Sequence, residues 1–524
     1  MIDKIRRNSY KIFKLVPAAL TVLLVFMIIV PLGAMFLNID SESISEVLNK
    51  NELFKVIGNS VLVSFITMVI SILVAYVFAW CIARTAMPFK KLFRSIIVLP
   101  MLIPSISLGM GVIILGGNNG IITNIFGAES SIYGIKGIIW GSVLYSLPVA
   151  FLMIENILKF EDSAPYDAAK VLGIPAKRRF FAITLPYLKK PMIAVAFSVF
   201  TLSFTDYGVP LMVGGKFKTL PVLMYQEVIG QLNFGKGCVY GIILLVPAVL
   251  AFLIDLASKN GSSSSFVIRP FEINKNFIKD LFGTVYSVFV SLFSLMPILA
   301  FVVLAFVKKY PNNMTFTIEN FTKTLRMGGS EYLRNSVLIA VLTAVFGVTV
   351  AVLTAYLTAR SKEKSSYILH MISMSTAAIP GIVLGLAYVL FFKGTPIYGT
   401  LFVLVMVNIV HFFSSPYLMI YTSFSKVNPN LESVASTLGI GRKRLLIDVL
   451  IPKCAHTVAE MFSYFFVNCM MTISAVSFLS NTSTKPISLM INQFEAQGQL
   501  EAAAAVSLLI LAVNVVMKAI IKEK

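Results

Sequence analysis

Long apolar segments alternate with short polar ones along almost the whole chain. The apolar segments carry few charged positions, and several contain Gly or Pro, which membrane helices tolerate. At about 20 residues per span, this pattern predicts an all-α membrane protein with about twelve transmembrane helices. We place them at 15–37, 59–83, 94–116, 135–158, 191–213, 238–258, 281–307, 335–359, 366–392, 398–425, 457–479 and 502–521.

Composition indicates the same class of protein. Hydrophobic residues make up 57% of the 524 residues and charged residues 13%, and the mean hydropathy is +0.86, well beyond a soluble domain. The net charge of +20 suggests a nucleic-acid partner, but its distribution argues against one. With the N-terminus inside, 31 of the 44 Lys and Arg residues fall in inside segments, which follows the positive-inside rule. We therefore predict a multi-pass protein of the cytoplasmic membrane, with both termini cytoplasmic and no nucleic-acid partner.

One predicted outside loop, 308–334, departs from this charge rule. Its five basic residues are Lys308, Lys309, Lys323, Arg326 and Arg334. Longer loops follow the rule less strictly, so we keep the predicted topology.

The chain contains two copies of one unit. Residues 59–62 and 335–338 share the sequence Asn-Ser-Val-Leu at an offset of 276 residues, and the Ile-Pro pair ending at Pro104 recurs, at the same offset, ending at Pro380. Later positions match at an offset of 266. Because six spans per copy is an even number, the copies enter the membrane in the same direction. We predict a first repeat at 1–258, a cytoplasmic linker at 259–280 and a second repeat at 281–524, with a central pathway between the repeats.

Two polar loops on the predicted cytoplasmic side show the same spacing of Gly and Pro. Each Gly is predicted to end a short helix in the left-handed conformation, and each Pro to close a second amphipathic piece. One such loop is more often an ordinary solvated connection, but two at equivalent positions favour docking of a partner. The first polar loop is 159–190, with Asp167, Gly173 and Pro186, and the second polar loop is 426–456, with Ser433, Gly439 and Pro452.

This pattern resembles the Glu-Ala-Ala loop of permease subunits of binding-protein-dependent ABC importers of type I. The first copy reads Asp167-Ala168-Ala169, and the second reads Ser433-Val434-Ala435 with Glu432 one position early. The resemblance implies a type I permease fold in which each loop is a coupling helix. The residues it assigns to coupling are Asp167, Ala168, Ala169, Gly173 and Pro186, and Glu432, Ser433, Ala435, Gly439 and Pro452. The displaced Glu432 leaves open whether the second loop offers the ATPase an acid.

The resemblance also implies the partners. They are two ATPase subunits on the cytoplasmic side, an extracytoplasmic substrate-binding protein and the lipid bilayer. ATP and magnesium would bind the ATPase, and this chain would have no cofactor, metal site or catalytic residue of its own. The segment from Gly230 to Gly237 superficially resembles a phosphate-binding loop. However, Gly237 replaces the Ser or Thr that would bind magnesium, no predicted strand precedes it, and the segment lies outside.

Four residues are candidates for the translocation pathway. Asp206 is an intramembrane charge and hence a functional candidate, or alternatively an interfacial Asp at a helix end. Tyr207 follows it. Pro104 and Pro380 occupy equivalent positions and are either gating kinks or plain packing kinks. His411 lies in mid-span, where we expect a packed, neutral and hydrogen-bonded side chain rather than a ligand or a proton relay.

Within this importer class, the chain resembles fused two-domain permeases, such as those for ferric iron, thiamine and 2-aminoethylphosphonate. Segments 204–215, 225–234 and 471–479 look most like the 2-aminoethylphosphonate branch. We therefore expect a small phosphonate as substrate, with ferric iron as the alternative. An ion-coupled secondary transporter is the alternative function, since it also fits twelve spans and a duplicated half. It would leave the two matched polar loops unexplained.

Overall fold

The structure is a computed structural model and describes residues 2–49, 52–126, 132–259, 269–360, 364–428 and 430–522. It is built mainly from α-helices, with one antiparallel hairpin of β1 (Val307–Lys309) and β2 (Asn313–Phe316). The helices of the first half are α1 (Ile2–Leu37), α2 (Ser41–Leu48), α3 (Glu52–Arg84), α4 (Lys90–Val98), α5 (Ser105–Gly116), α6 (Ile121–Phe126), α7 (Ile135–Lys159), α8 (Ala164–Val171), α9 (Ala176–Arg179), α10 (Leu185–Thr205), α11 (Gly208–Val213), α12 (Leu220–Tyr225) and α13 (Phe234–Lys259).

The second half repeats this order with its own lengths. Its helices are α14 (Phe277–Ala305), α15 (Glu319–Thr324), α16 (Ser330–Ala359), α17 (Lys364–Ser375), α18 (Gly381–Phe392), α19 (Leu401–Phe412), α20 (Ser414–Ser425), α21 (Leu431–Thr437), α22 (Arg442–Leu445), α23 (Ile451–Lys453), α24 (Ala455–Met471), α25 (Ser488–Ala496) and α26 (Leu500–Lys522). Tighter 3-10 turns lie at Leu99–Leu102 and Thr376–Ala378, and wider π-helical turns lie at Phe180–Thr184, Gln226–Gly230, Leu325–Gly329 and Leu446–Leu450.

Nine of the described helices are long and apolar enough to cross a membrane, or up to eleven if two bent pairs each count as one span. The predicted span 457–479 is the one without such a helix. There α24 has 17 residues and ends at Met471. The apolar residues after it, including Ile473, Ala475 and Val476, are buried inside the protein and do not form a span. Burial and lipid exposure favour the same residue types, so hydropathy alone did not separate them.

Two predicted spans are broken at their equivalent Ile-Pro pairs. Helix α5 begins after Pro104 and α18 begins after Pro380, and both prolines have an extended ψ, of 146° and 137°. The segments on either side of Pro380 meet at an angle of 108°. Proline has no N–H to continue the ladder and disfavours helical geometry in the residue before it. The breaks therefore follow directly from the sequence.

The internal repeat is visible in matching hydrogen bonds. The hydroxyl of Ser60 accepts from the Leu220 N–H at 2.8 Å, and the hydroxyl of Ser336 accepts from the Ile487 N–H at 2.7 Å. The preceding Asn335 and its counterpart in the first half also donate to backbone carbonyls of the same segments, at 2.9 and 3.1 Å. The repeated Asn-Ser pair thus anchors α3 and α16 to equivalent loops.

The first helix of each half packs on the other half. Helix α1 contacts α17 and α18, while α14 contacts α4 and α5. A buried hydrogen bond joins the two halves at 2.7 Å, from the Tyr388 hydroxyl to the Met27 carbonyl. The outward faces of α1, α3 and α14 remain apolar, with Val22, Leu73 and Phe289 exposed. Such faces suit a surrounding bilayer.

Candidate functional site

The two polar loops each contain a short helix that ends in the same way. The glycines that follow α8 and α21 have positive φ, +68° at Gly173 and +71° at Gly439. In each loop the amide after the glycine donates to the carbonyl five residues earlier, which is the Schellman motif. The donors and acceptors are Ile174 with Ala169 at 2.9 Å and Ile440 with Ala435 at 2.8 Å. The predicted left-handed glycine ends are therefore confirmed.

The small residues of these helices divide between an inner and an outer face. Ala169 and Ala435 are buried, with 3% and 5% of their surface exposed, and pack against the rest of the chain. Asp167, Ala168 and Ser433 are exposed instead. The Asp167 carboxylate lies 3.4 Å from the Lys170 ammonium on the same surface. The outer face is therefore the one available to a partner.

Large apolar side chains also project from both loops. Val171 and Leu172 have 88% and 75% of their surface exposed, and Leu438 has 70% exposed. They lie beside the left-handed glycines, away from the apolar faces of the membrane helices. Exposed apolar clusters of this kind mark protein interaction sites.

An arginine at the end of α3 ties the first polar loop to the helical core. Arg84 pairs with the Glu161 carboxylate at 2.6 Å and donates to the Leu158 carbonyl at 2.9 Å. The second oxygen of Glu161 accepts from the Tyr166 hydroxyl at 2.5 Å, at the start of α8. Because only 13% of the Arg84 side chain and 4% of the Glu161 side chain are exposed, the pair is largely shielded from solvent and fixes the orientation of α8.

The second polar loop is tied by the equivalent arginine, but to a different acid. Arg360 forms a two-pronged pair with Glu432, which lies inside α21, and also donates to the Val427 carbonyl at 2.7 Å. At the repeat offset of 266, Glu432 corresponds to Tyr166 and Val427 corresponds to Glu161. The carboxylate has changed position while the contact is kept. Glu432 therefore faces inward to Arg360 and does not replace the exposed acid of the first loop.

The linker between the halves contacts the first polar loop. The Ser163 N–H donates to the Arg269 carbonyl at 2.9 Å, and the Arg269 N–H donates to the Asp162 carboxylate at 3.1 Å. The centre of the Phe271 ring lies 3.6 Å from the Arg84 guanidinium carbon and 5.1 Å from the centre of the Tyr166 ring. These contacts make the two loops unequal, because the linker packs against the first polar loop. Residues 260–268 of the predicted linker lie outside the described residues.

Pro186 and Pro452 do not close a helix, contrary to the expectation. The helical path runs from Ala176 through a π-helical turn to Thr205, and Pro186 lies in the first turn of α10. Pro452 lies equivalently in α23, after the π-helical turn Leu446–Leu450. A proline within a helical path cannot donate to the backbone ladder. The wider turn before it accommodates its ring.

A cavity of about 140 Å³, which we call the central cavity, lies between the two halves. Its walls pair equivalent residues of the two repeats, so it lies on the axis that relates them. The pairs are Ser105 with Gly381, Tyr145 with His411, Leu202 with Asn468, Thr205 with Met471, Asp206 with Thr472, and Tyr207 with Ile473. At about 30 Å³ per water molecule, it holds a few waters or one very small solute.

Asp206 lines this cavity and also lies at a helix break. Its carboxylate accepts from the Ser105 hydroxyl at 2.6 Å and from the Val209 and Gly208 N–H groups at 3.0 and 3.3 Å. The two amides belong to the first turn of α11, so the acid caps that helix. Asp206 thus lies both at a helix end and in the cavity wall, and its role in translocation stays a prediction. Tyr207 and Pro104 also line the cavity, whereas at Pro380 the neighbouring Gly381 does so.

Several cavity residues were not predicted from the sequence. Tyr145, Asn468 and Ser474 line the wall beside Asp206. His411 is packed, as expected, but among the described residues its Nδ1 has no hydrogen-bond partner. The signal that would have found Tyr145 is the repeat offset, which places it opposite His411. Among the described residues, no three His, Cys, Asp or Glu side chains gather as a metal site.

Comparison with known proteins follows the same division into halves. The family model described as "Binding-protein-dependent transport system inner membrane component" matches residues 76–259 and again 347–522. One match lies in each predicted repeat, and together they cover more than half of the chain.

Curated relatives extend the match along the chain. A putative ferric transport system permease protein of Haemophilus influenzae is 22% identical over 88% of this chain and 77% of its own length. A ferric transport system permease protein of Actinobacillus pleuropneumoniae is 23% identical over 96% of this chain and 76% of its own length. A molybdenum transport system permease protein of Azotobacter vinelandii is 27% identical over 31% of this chain and 75% of its own length.

Proposed function

The chain belongs to the family of binding-protein-dependent transport system inner membrane components, the permeases of type I ABC importers, and on this basis we propose how it works. It forms the translocation pathway between its two halves. It couples this pathway to two separate ATPase subunits, which dock on α8 and α21 at the cytoplasmic side. An extracytoplasmic substrate-binding protein delivers the substrate to the opposite side, and both termini are cytoplasmic.

The observation that carries the proposal is the matched pair of polar loops. Each presents a short helix, a left-handed glycine and exposed apolar side chains, and each is fixed to the core by an arginine paired with a carboxylate. A rigid, exposed helix transmits a push from a partner better than a flexible loop does, because little of the motion is lost within the loop. An ion-coupled transporter has no need of two such docking helices.

The central cavity supports the proposed pathway. It lies on the axis relating the halves, and four helix breaks adjoin it, at Pro104, Pro380, Asp206 and Thr472. Breaks in membrane helices permit the segments on either side to move separately and line a cavity with backbone groups. A relative rotation of the two halves would open this cavity to one side at a time.

We propose a small phosphonate, such as 2-aminoethylphosphonate, as the substrate. Support comes from the resemblance of segments 204–215, 225–234 and 471–479 to that branch of fused permeases. Ferric iron is the second candidate, because two relatives that match along most of the chain are named as ferric permeases.

The test is reconstitution of the permease with its ATPase and binding protein in liposomes. We expect uptake of 2-aminoethylphosphonate that requires ATP on the loop side and the binding protein on the other side. ATP-driven uptake of ferric iron without phosphonate uptake would replace the substrate and keep the mechanism. Uptake that persists without ATPase and collapses with the proton gradient would refute the mechanism.

A further inference from the structure

A second cavity, which we call the outer vestibule, adjoins the central cavity. Its volume is about 580 Å³. Helices α10 and α24 run from the polar loops to Thr205 and Met471 in the central cavity, and Tyr225 and Ser477 of the vestibule follow these ends along the chain. The vestibule therefore lies beyond the central cavity, on the side away from the polar loops. Its main polar and aromatic lining residues are Tyr225, Tyr332, Ser477, Lys485, Asn492 and Gln493.

An aromatic partition separates the two cavities. The Tyr207 ring, which lines the central cavity, stacks on the Tyr225 ring of the vestibule with centroids 4.9 Å apart. Tyr225 in turn stacks on Phe478 at 6.2 Å, and the Tyr207 hydroxyl lies 3.0 Å from the Ser477 hydroxyl. A solute in the vestibule therefore meets ring faces and hydroxyl groups before it reaches Asp206.

The vestibule carries a positive charge that no acid in its wall offsets. Among the described residues that line it, Lys485 is the one charged side chain. Its ammonium donates to the Gln493 side-chain oxygen at 2.7 Å and lies 5.7 Å from the centre of the Tyr332 ring. Both partners are uncharged, so they hold the ammonium in place without neutralising it. A fixed, half-buried cation of this kind attracts anions.

Comparison of the repeats shows that this charge is a feature of one half. At the offset of 266, Lys485 corresponds to Thr219 and Gln493 corresponds to Glu227. The second half has thus gained a cation and an amide where the first half has a hydroxyl and an acid. Two identical walls would have given a symmetric vestibule, whereas this difference concentrates positive charge on one wall.

The basic outside loop that breaks the positive-inside rule lies next to this wall. Asn335, at the start of α16, donates to the Ser483 carbonyl at 2.9 Å, which joins the loop's end to the segment before Lys485. Arg334, next to Asn335, is exposed, and so is Glu331, next to Tyr332 of the vestibule wall. The loop 308–334, whose basic residues depart from the positive-inside rule, therefore ends beside the vestibule wall.

We propose that the outer vestibule binds the oxyanion group of a small phosphonate or phosphate, with Lys485 as its counter-charge. The side-chain amide of Asn492, whose Nδ2 has no hydrogen-bond partner among the described residues, supplies a further donor for a tetrahedral oxyanion. Where the substrate also carries an ammonium group, the Tyr225 ring offers it a cation–π face. This inference rests on the proposed function, because it takes the vestibule as the entry side of the pathway.

Binding is measured on the permease–ATPase complex in lipid nanodiscs, with 2-aminoethylphosphonate and inorganic phosphate as probes and without the binding protein. We expect Lys485→Gln to weaken binding about tenfold or more, since a charge-assisted contact is lost. Lys485→Arg should stay within about threefold because it keeps the charge. Lys216→Gln is the matched control: it removes an exposed charge at the position equivalent to Thr482 in the other half and should leave the affinity unchanged.

Equal affinity of Lys485→Gln and the unsubstituted protein, with both melting at the same temperature, would overturn the vestibule site. So would probe binding that appears only after lipid is removed, because the site would then belong to a lipid headgroup. ATP-driven uptake in the same preparation separates the two ideas. If uptake occurs and Lys485→Gln binds normally, the vestibule inference alone fails. If the unsubstituted protein shows no ATP-driven uptake, the proposed function fails.

Discussion

Substitution of Gly439 tests whether coupling requires the left-handed backbone turn of the second polar loop, or instead requires that this position carry no side chain. A Cβ built at Gly439 would meet no atom within 4 Å, so a side chain fits there. The φ of +71° is the obstacle. A residue other than Gly pays about 1–2 kcal/mol in this conformation. Asn tolerates it better, because its side chain bonds to the local backbone.

From this cost we expect Gly439→Val and Gly439→Ala to lower the equilibrium constant for forming the docking-competent turn by about 5–30-fold. The affinity for the ATPase should fall by up to this factor, since only the competent fraction binds. Gly439→Asn should lose little. The matched control is Gly441, two residues on, whose φ is −70° and which also has open space around it. Gly441→Ala should behave like the unsubstituted protein.

The assay is co-purification with the ATPase, followed by the ratio of substrate moved to ATP hydrolysed in liposomes. Recovery by Asn, beside loss with Ala and Val, would show that the left-handed turn is needed. Equal damage by Asn, Ala and Val would refute the reasoning, because it would mean that the partner packs directly against the glycine. The same series at Gly173, with φ of +68°, should give the same order.

Three further predictions follow from the buried contacts. Glu161→Val should lower the free energy of unfolding by about 3 kcal/mol, because Arg84 keeps its charge without its acid; adding Tyr166→Glu recreates the arrangement of the second half and should restore most of the melting temperature. Asp206→Ala should cost about 1 kcal/mol through the lost helix cap, whereas Asp206→Asn keeps an acceptor and should melt normally. Phe271→Ala should cost about 1 kcal/mol of cation–π and ring contact, while Phe277→Ala, at an exposed position, should cost nothing measurable.

The sequence was sufficient to predict the features that depend on local chemistry or on the repeat. The left-handed turns at Gly173 and Gly439 followed from residue type, and the breaks at Pro104 and Pro380 followed from the missing N–H. The span at 457–479 was different, because a buried segment and a lipid-facing segment have the same hydropathy. There the distinction depends on which neighbours cover the chain, and this is a tertiary property.

The central cavity and the arginine ties required the structure for a related reason. Arg84 lies 77 positions from Glu161 along the chain, and no spacing rule connects a charge at the end of one span with an acid beyond the next two. His411 looked like an isolated buried side chain until it was placed opposite Tyr145. The repeat offset pairs Tyr145 with His411 in the sequence, but the arrangement of the two halves in space is what shows that both line one cavity.

The two arginine–carboxylate pairs also show which feature the two halves share. Each half keeps an arginine at the end of its second long helix and a carboxylate that orients the short helix of the polar loop. The carboxylate comes from a position before α8 in one half and from inside α21 in the other. If a particular residue were the essential feature, Glu161 and its counterpart Val427 would have stayed alike. Since the contact survived and the residue moved, orientation of the loop helix is the conserved requirement. The exposed acid, Asp167, is a separate feature of the first loop, since the second loop has Ser433 at the equivalent position.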